Sequence, residues 1–296
     1  MTKPINDKTS IAMQQMYQRT YEKVMTTLFD AKKDDNYWQT AKQAQLLKQI
    51  AEILDNFKDS SGDYLKKALH KLVKYETELS LKDLESFKDK MNQTESFYVG
   101  YNEQYVQQVF EDTFQHIAWQ TDKMKLSVKT SLRNDAQDVF RRAAVEGIPR
   151  KKAYRELRDK IMTNTPDFRF IDKAGRKWDT KTYLDMMTHT VMSTTQRDIY
   201  ANVLTQEGKD LVKITQNGAT DACKNWEGKI LSLTGSTKGY PTLKEATATG
   251  EIFHPRCKHR FVAYNPEIDD IFNQVNEGMS DEEILGFNVD EFLNKR

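Results

Sequence analysis

The chain has 296 residues, enough for one or two domains with a proper core. Hydrophobic residues make up 38% of it and charged residues 30%, a balance that suits elongated helices with much surface for their core. No run of apolar residues is long enough to span a bilayer, and the net charge of +1 excludes nothing as a total.

The distribution of charge says more. Residues 121–160 carry 12 Lys/Arg against 6 Asp/Glu, whereas residues 266–296 carry 9 Asp/Glu against 2 Lys/Arg. A basic middle can be a solvated helix face, or it can meet a phosphate backbone or an acidic partner. The N-terminal residues lack the apolar core of a secretory signal. Two cysteines cannot build a disulfide framework, which points to synthesis in a reducing cytoplasm.

The first 120 residues read as helices. Leu46, Leu47, Ile50, Ile53, Leu54 and Phe57 recur at steps of three and four. After an expected break at Ser60-Ser61-Gly62-Asp63, Leu65, Ala68, Leu69, Leu72 and Val73 do the same. Val106, Val109, Phe110, Phe114 and Ile117 predict a further helix, and no proline interrupts the chain between Pro4 and Pro149. Gly147-Ile-Pro149 predicts the end of one helix and the start of another. Arg141, Arg142, Arg150, Lys151, Lys152 and Arg155 bracket that boundary and are the candidate contacts to non-specific double-stranded DNA.

Residues 164–180 read as a loop with a turn at 172–175, and Asp179 or Thr180 is placed to cap a helix through Tyr183, Met186, Met187, Thr190 and Val191. After Gly208 short β-type runs appear at 210–215, 229–234 and 260–264. Strands are therefore expected only within about 208–265. The fold class that results is mainly α, an elongated helical N-terminal region followed by a small C-terminal α+β module, whose short antiparallel sheet bears a Cys/His cluster. In these terms the chain divides into a helical docking region (1–120), a basic helical segment (121–207), the Cys/His module (208–265) and an acidic tail (266–296).

Both cysteines and two of the five histidines lie in that module, as Cys223 and as His254-Pro-Arg-Cys257-Lys-His259. Thiol and imidazole are the donors of structural zinc, which takes four at tetrahedral geometry, and Cys223, His254, Cys257 and His259 supply that number. The spacing lacks a C-x2-C knuckle, so the competing reading is two small buried thiols with histidines bonded to loop carbonyls. A catalytic reading would use Cys257 as a nucleophile, its pKa lowered by Arg256, Lys258 and His259, or would build a metal-dependent nuclease on the histidines. No oxyanion-hole motif, P-loop, G-x-G-x-x-G or G-x-S-x-G accompanies them, so the expectation is a protein without enzymatic activity. Trp226 is expected to pack on the sheet, with Gly228, Gly235 and Gly239 at tight turns. His70, His116 and His189 read as ordinary helix residues.

Five stretches in order carry a family resemblance. They are Gly175-Arg-Lys-Trp178-Asp-Thr-Lys-Thr-Tyr183 with the helix to Thr190, Gly208-Lys-Asp-Leu-Val, Cys223-x-x-Trp226-x-Gly228-Lys-Ile-x-Ser232-Leu-Thr-Gly235, Tyr240-Pro-Thr-Leu, and Phe253-His-Pro-x-Cys257-x-His259. Over about residues 140–265 the chain resembles the tailed-bacteriophage minor capsid proteins, in the group called minor capsid protein 2, related to the phage Mu F-like head-morphogenesis proteins. Two positions depart from the pattern: Thr220 stands where many members have a second cysteine, and His189 where an arginine is common. The resemblance implies a structural virion component inside the head near the portal vertex, made in the bacterial cytoplasm. It would assist head assembly, DNA packaging or DNA delivery, with portal protein and major capsid or scaffold protein as partners.

Overall fold

The computed structural model describes residues 5–31, 40–85, 93–149, 152–153, 155–156, 168–171 and 176–266. The acidic tail, the turn at 172–175 and the side chains of Arg150 and Lys151 lie outside the described residues. The chain divides into two compact units, one of residues 1–78, 94–200 and 253–258, the other of residues 79–93, 201–252 and 259–296.

The first unit is mainly helical, built on α1 (Ile5–Ala31), α2 (Thr40–Glu85) up to residue 78, α3 (Glu95–Glu146) and α4 (Thr180–Gln206) up to residue 200. The apolar steps of three and four place one stripe of each helix in a common core. Met13, Val24 and Leu28 enter from α1, Ile50, Leu54, Leu65, Leu69 and Leu72 from α2, Val106, Ile117 and Met124 from α3, and Leu184, Met192 and Ile199 from α4. Each such side chain contributes about 1.5–3 kcal/mol by leaving water.

The helix ends follow their local chemistry. Thr94 accepts the Phe97 amide at the start of α3, and Gly147, at φ 64°, ends it by donating to the Ala143 carbonyl. Pro149 then opens a new turn, its carbonyl accepting the amides of Lys152 and Ala153 at 2.8 and 3.1 Å. Asp179 caps α4 through its Oδ1, which accepts the Thr182 amide at 2.9 Å.

The expected break at Ser60–Asp63 does not occur: α2 runs through it. The hydroxyls of Ser60 and Ser61 donate to the carbonyls of Asn56 and Lys58, within the same helix. Gly62 is there for packing: a Cβ at that position would stand 2.5 Å from Phe114 Cε2.

α4 buries polar groups as well as apolar ones. Asn6 Nδ2 donates to Ser193 Oγ and Gln196 Oε1, both at 3.1 Å, Gln196 donates to the fully buried Glu76, and the Tyr105 hydroxyl donates to Asp198. Such bonds fix which residues face each other along helices whose apolar contacts alone would tolerate sliding.

Strands are not confined to the C-terminal module. Phe170–Ile171 (β1) pairs antiparallel with Lys177–Trp178 (β2), in the stretch expected to be a loop. Two-residue strands are too short to show an alternating pattern, so no periodicity announces them.

In the second unit, β3 (Leu211–Ile214) is the central strand, with β4 (Ile230–Ser232) and β5 (Phe261–Ala263) antiparallel on either side. Leu211, Val212, Ile214, Leu231 and Phe261 are buried, so β-branched and aromatic side chains hold this sheet as the expectation had it. A short helix, α5 (Leu243–Ala248), starts at a capping box in which Thr242 and Glu245 satisfy each other's amides. The chain is thus mainly α with a small antiparallel three-stranded sheet toward the C-terminus, in the stretch of sequence that carries the Cys and His residues.

Candidate metal centre

Cys223 sits in a single 3-10 turn, Ala222–Asn225, that follows β3. Asp221 caps this turn, accepting the Cys223 amide at 3.1 Å. The Cys223 side chain is 1% exposed, and its thiol donates to the Glu251 carbonyl at 3.4 Å. The same Glu251 accepts the Trp226 indole N–H at 2.9 Å. Trp226 is buried and carries the Lys229 ammonium 4.5 Å from its ring centre. Gly228, at φ 75°, leads the chain into β4, and a Cβ there would press on Gln216 Nε2 at 2.9 Å.

His254 and Cys257 belong to a tight turn, His254-Pro255-Arg256-Cys257, closed by the Cys257 amide donating to the His254 carbonyl at 2.9 Å. Pro255 presets the second position of this turn, and Arg256 fills the third with φ 66°. Phe253, at φ 57°, is the other non-glycine residue at positive φ among those described. Side chains pay of order 1 kcal/mol or more for that conformation, so surrounding contacts must hold it. They do. The Arg256 amide donates to Thr190 Oγ1 at 3.3 Å, its guanidinium meets Asp185 Oδ2 at 2.9 Å, and the Arg197 guanidinium lies 4.5 Å from the centre of the Phe253 ring.

Of the four expected ligands, His254 and Cys257 lie together in the first unit, their donor atoms within 4.8 Å of each other, the thiol buried and the imidazole half-buried, while Cys223, also buried, and His259 belong to the second. The two cysteines are not disulfide-bonded. His259 is employed elsewhere. Its buried ring faces Glu227, with Nε2 2.9 Å from Oε1. The same carboxylate oxygen accepts the amides of Asn217 and Ala219 at 2.7 and 3.0 Å. His259 and these two amides hold the Glu227 carboxyl well below its usual range, at about 2. Glu227, Glu251 and the Arg256 anchors Asp185 and Thr190 were not anticipated. Glu227 lies inside the Cys-x-x-Trp-Glu-Gly block, the one signal that could have marked it.

The remaining histidines serve the helices. His189 is buried, 3.5 Å from Asp7 Oδ1, and burial pushes its pKa below the ordinary histidine value. His70 pairs with Glu103 at 3.6 Å, and His116 is exposed.

Of the candidate DNA contacts, Arg141, Arg142, Lys152 and Arg155 are exposed around the Gly147–Pro149 boundary. Arg142 is engaged by Glu156, which takes up part of its charge locally. Arg150 and Lys151 lie outside the described residues. Among the described residues no helix is long and apolar enough to cross a membrane.

Nothing among curated proteins and nothing among solved structures matches the chain. A family model does match, that of phage minor capsid protein 2, over residues 4–285. That span takes in the long helices that carried no recognisable motif as well as the Cys/His module. On that match the chain belongs to the phage minor capsid protein 2 family.

Proposed function

We propose that this minor capsid protein is a structural component of the phage head that docks at the portal and inner capsid and assists head assembly, DNA packaging or DNA delivery. The family match over 4–285 carries the reading. The helices add physical support. α2 and α3 run 46 and 52 residues, about 70 and 78 Å at the helical rise, and both present polar faces with scattered large apolar side chains such as Tyr75, Phe97, Tyr101 and Trp119. Aromatic residues of this kind supply contact area at low entropic cost where helices dock on a partner. The exposed basic residues Arg141, Lys152 and Arg155 supply a second, electrostatic contact, to phosphates of the packaged genome.

The experiment is co-expression with the portal protein of the same phage, followed by purification through the portal. Retention through a salt wash supports docking. Recovery of the portal ring without this chain, alongside recovery of this chain with another head protein, would redirect the reading to that partner. The rival reading, a metal-dependent nuclease, requires chelator-sensitive DNA cleavage by the purified chain.

A further inference from the structure

We infer that the exposed face of α3 pairs antiparallel with the same face of a second copy of this chain.

The face is one continuous stripe. From Phe97 to Arg133 the exposed positions 97, 101, 104, 108, 111, 115, 119, 122, 126, 129 and 133 recur at steps of three and four, which keeps them on one side of the helix over about 54 Å. Val106, Ile117 and Met124 take the opposite side into the core. Four residues of the exposed stripe are large and apolar: Phe97, Tyr101, Trp119 and Leu126 are between 42% and 54% exposed. The helix thus carries two apolar stripes, and the core of its own unit accounts for one.

Charge names the occupant. Residues 95–122 carry five Asp/Glu and no Lys/Arg, whereas residues 123–142 carry six Lys/Arg against two Asp/Glu. On the exposed side this sets Glu111 and Asp112 in an acidic half, and Lys123, Lys129 and Arg133 in a basic one. A partner of one sign, duplex DNA included, would match one half and be repelled by the other. A second α3 laid antiparallel matches both at once, with every contact made twice across a two-fold axis. Parallel pairing would set acid on acid and base on base. With the axis near Gln115, Phe97 and Tyr101 of one copy fall opposite Arg133 and Lys129 of the other, where ring and cation attract.

The side chains are arranged for this. Phe97 and Tyr101 are stacked, with centroids 6.4 Å apart and planes at 12°. Glu111 and Asp112 accept the neutral side-chain amides of Gln107 and Gln108 at 2.7 and 3.1 Å, which orients the carboxylates and leaves their charge in place. Gly100, beside the aromatic pair, is exposed, and a Cβ there would meet nothing within 4 Å. A glycine inside a helix costs stability, and its bare backbone is what lets a second helix approach closely.

The test is sedimentation equilibrium of the full, reduced chain across a range of salt, with circular dichroism to establish that each variant is folded. The expected result is a dimer whose dissociation constant rises about tenfold or more between about 50 and 500 mM salt, as the charge pairing is screened. The triple variant Lys123→Glu, Lys129→Glu, Arg133→Glu should be monomeric, and Glu111→Lys with Asp112→Lys should self-associate at least about tenfold more weakly. An equimolar mixture of the two variants should restore the dimer, because their altered faces complement each other. Folded wild-type chain that stays monomeric at about 100 μM in low salt overturns the inference. So does a dimer that both variants retain, or one that salt strengthens. A monomer that binds duplex DNA through Lys129 and Arg133 overturns it as well, and assigns the basic half to phosphates.

Discussion

The ring of Phe114 on α3 occupies the space a side chain at position 62 of α2 would need: a Cβ built on Gly62 falls 2.5 Å from Cε2 and 2.7 Å from Cδ2 of that ring. The ring is also stacked on Phe110, centroids 5.6 Å apart, so it cannot retreat without disturbing a second aromatic. A glycine that looks like a helix breaker is thus the close-packing point between two long helices.

Gly62→Ala should therefore destabilise the protein. In an open helix interior this change would add about 1 kcal/mol of stability, but overpacking of this kind costs about 1–3 kcal/mol. The expected net loss is about 1 kcal/mol, measured by denaturant unfolding. In a Phe114→Ala background the same change should become stabilising. A gain in the wild-type background would show that the two helices do not pack as described.

Acid should loosen the turn after β4. Burial raises the pKa of Asp210, but hydrogen bonds from Ser232, Thr234 and Thr237 outweigh it and hold the carboxyl well below its usual range. A group depressed in the folded state contributes stability above its unfolded pKa of about 4, and loses it as pH falls toward the folded value. Asp210→Asn should accordingly be less stable than wild type at pH 7, with the difference shrinking below about pH 4. Parallel unfolding curves at pH 7 and pH 3 check this, and a difference independent of pH would contradict it.

DNA binding, if the basic segment provides it, should be non-specific and salt-dependent, because phosphates carry no sequence information. Replacing Arg141, Lys152 and Arg155 with Ala should flatten the slope of log affinity against log salt by up to about 0.9 per lost contact. Arg142→Ala should change it least, since Glu156 already engages that guanidinium. An unchanged slope in the triple variant would return these residues to the role of a solvated helix end.

The legible part of this fold is the part with a period. Leu46, Ile50, Leu54, Phe57, Leu65, Leu69 and Leu72 announce a buried helical stripe by spacing alone, and all seven are in the core. The three strands after Gly208 and the Gly147–Pro149 boundary were equally readable from local chemistry. What escaped depends on partners far away in sequence. Nothing near Gly62 reports that Phe114 will lie over it. β1 and β2 are too short for any pattern. The candidate ligands show the same division: composition drew attention to four Cys and His residues, but only the fold shows that His259 pairs with Glu227, 32 residues away. Buried polar residues of α4, such as His189, Ser193 and Gln196, blur its apolar stripe, because their burial rests on partners from other helices.

The claim on which the rest depends is that this minor capsid protein is a built-in part of the phage head. Quantitative mass spectrometry of purified, nuclease-treated virions tests it most directly. The account predicts the chain in every full particle, at far fewer copies than the major capsid protein and still present after external DNA and loosely bound protein are stripped away. Abundant chain in the infected-cell lysate with none in purified virions would contradict it.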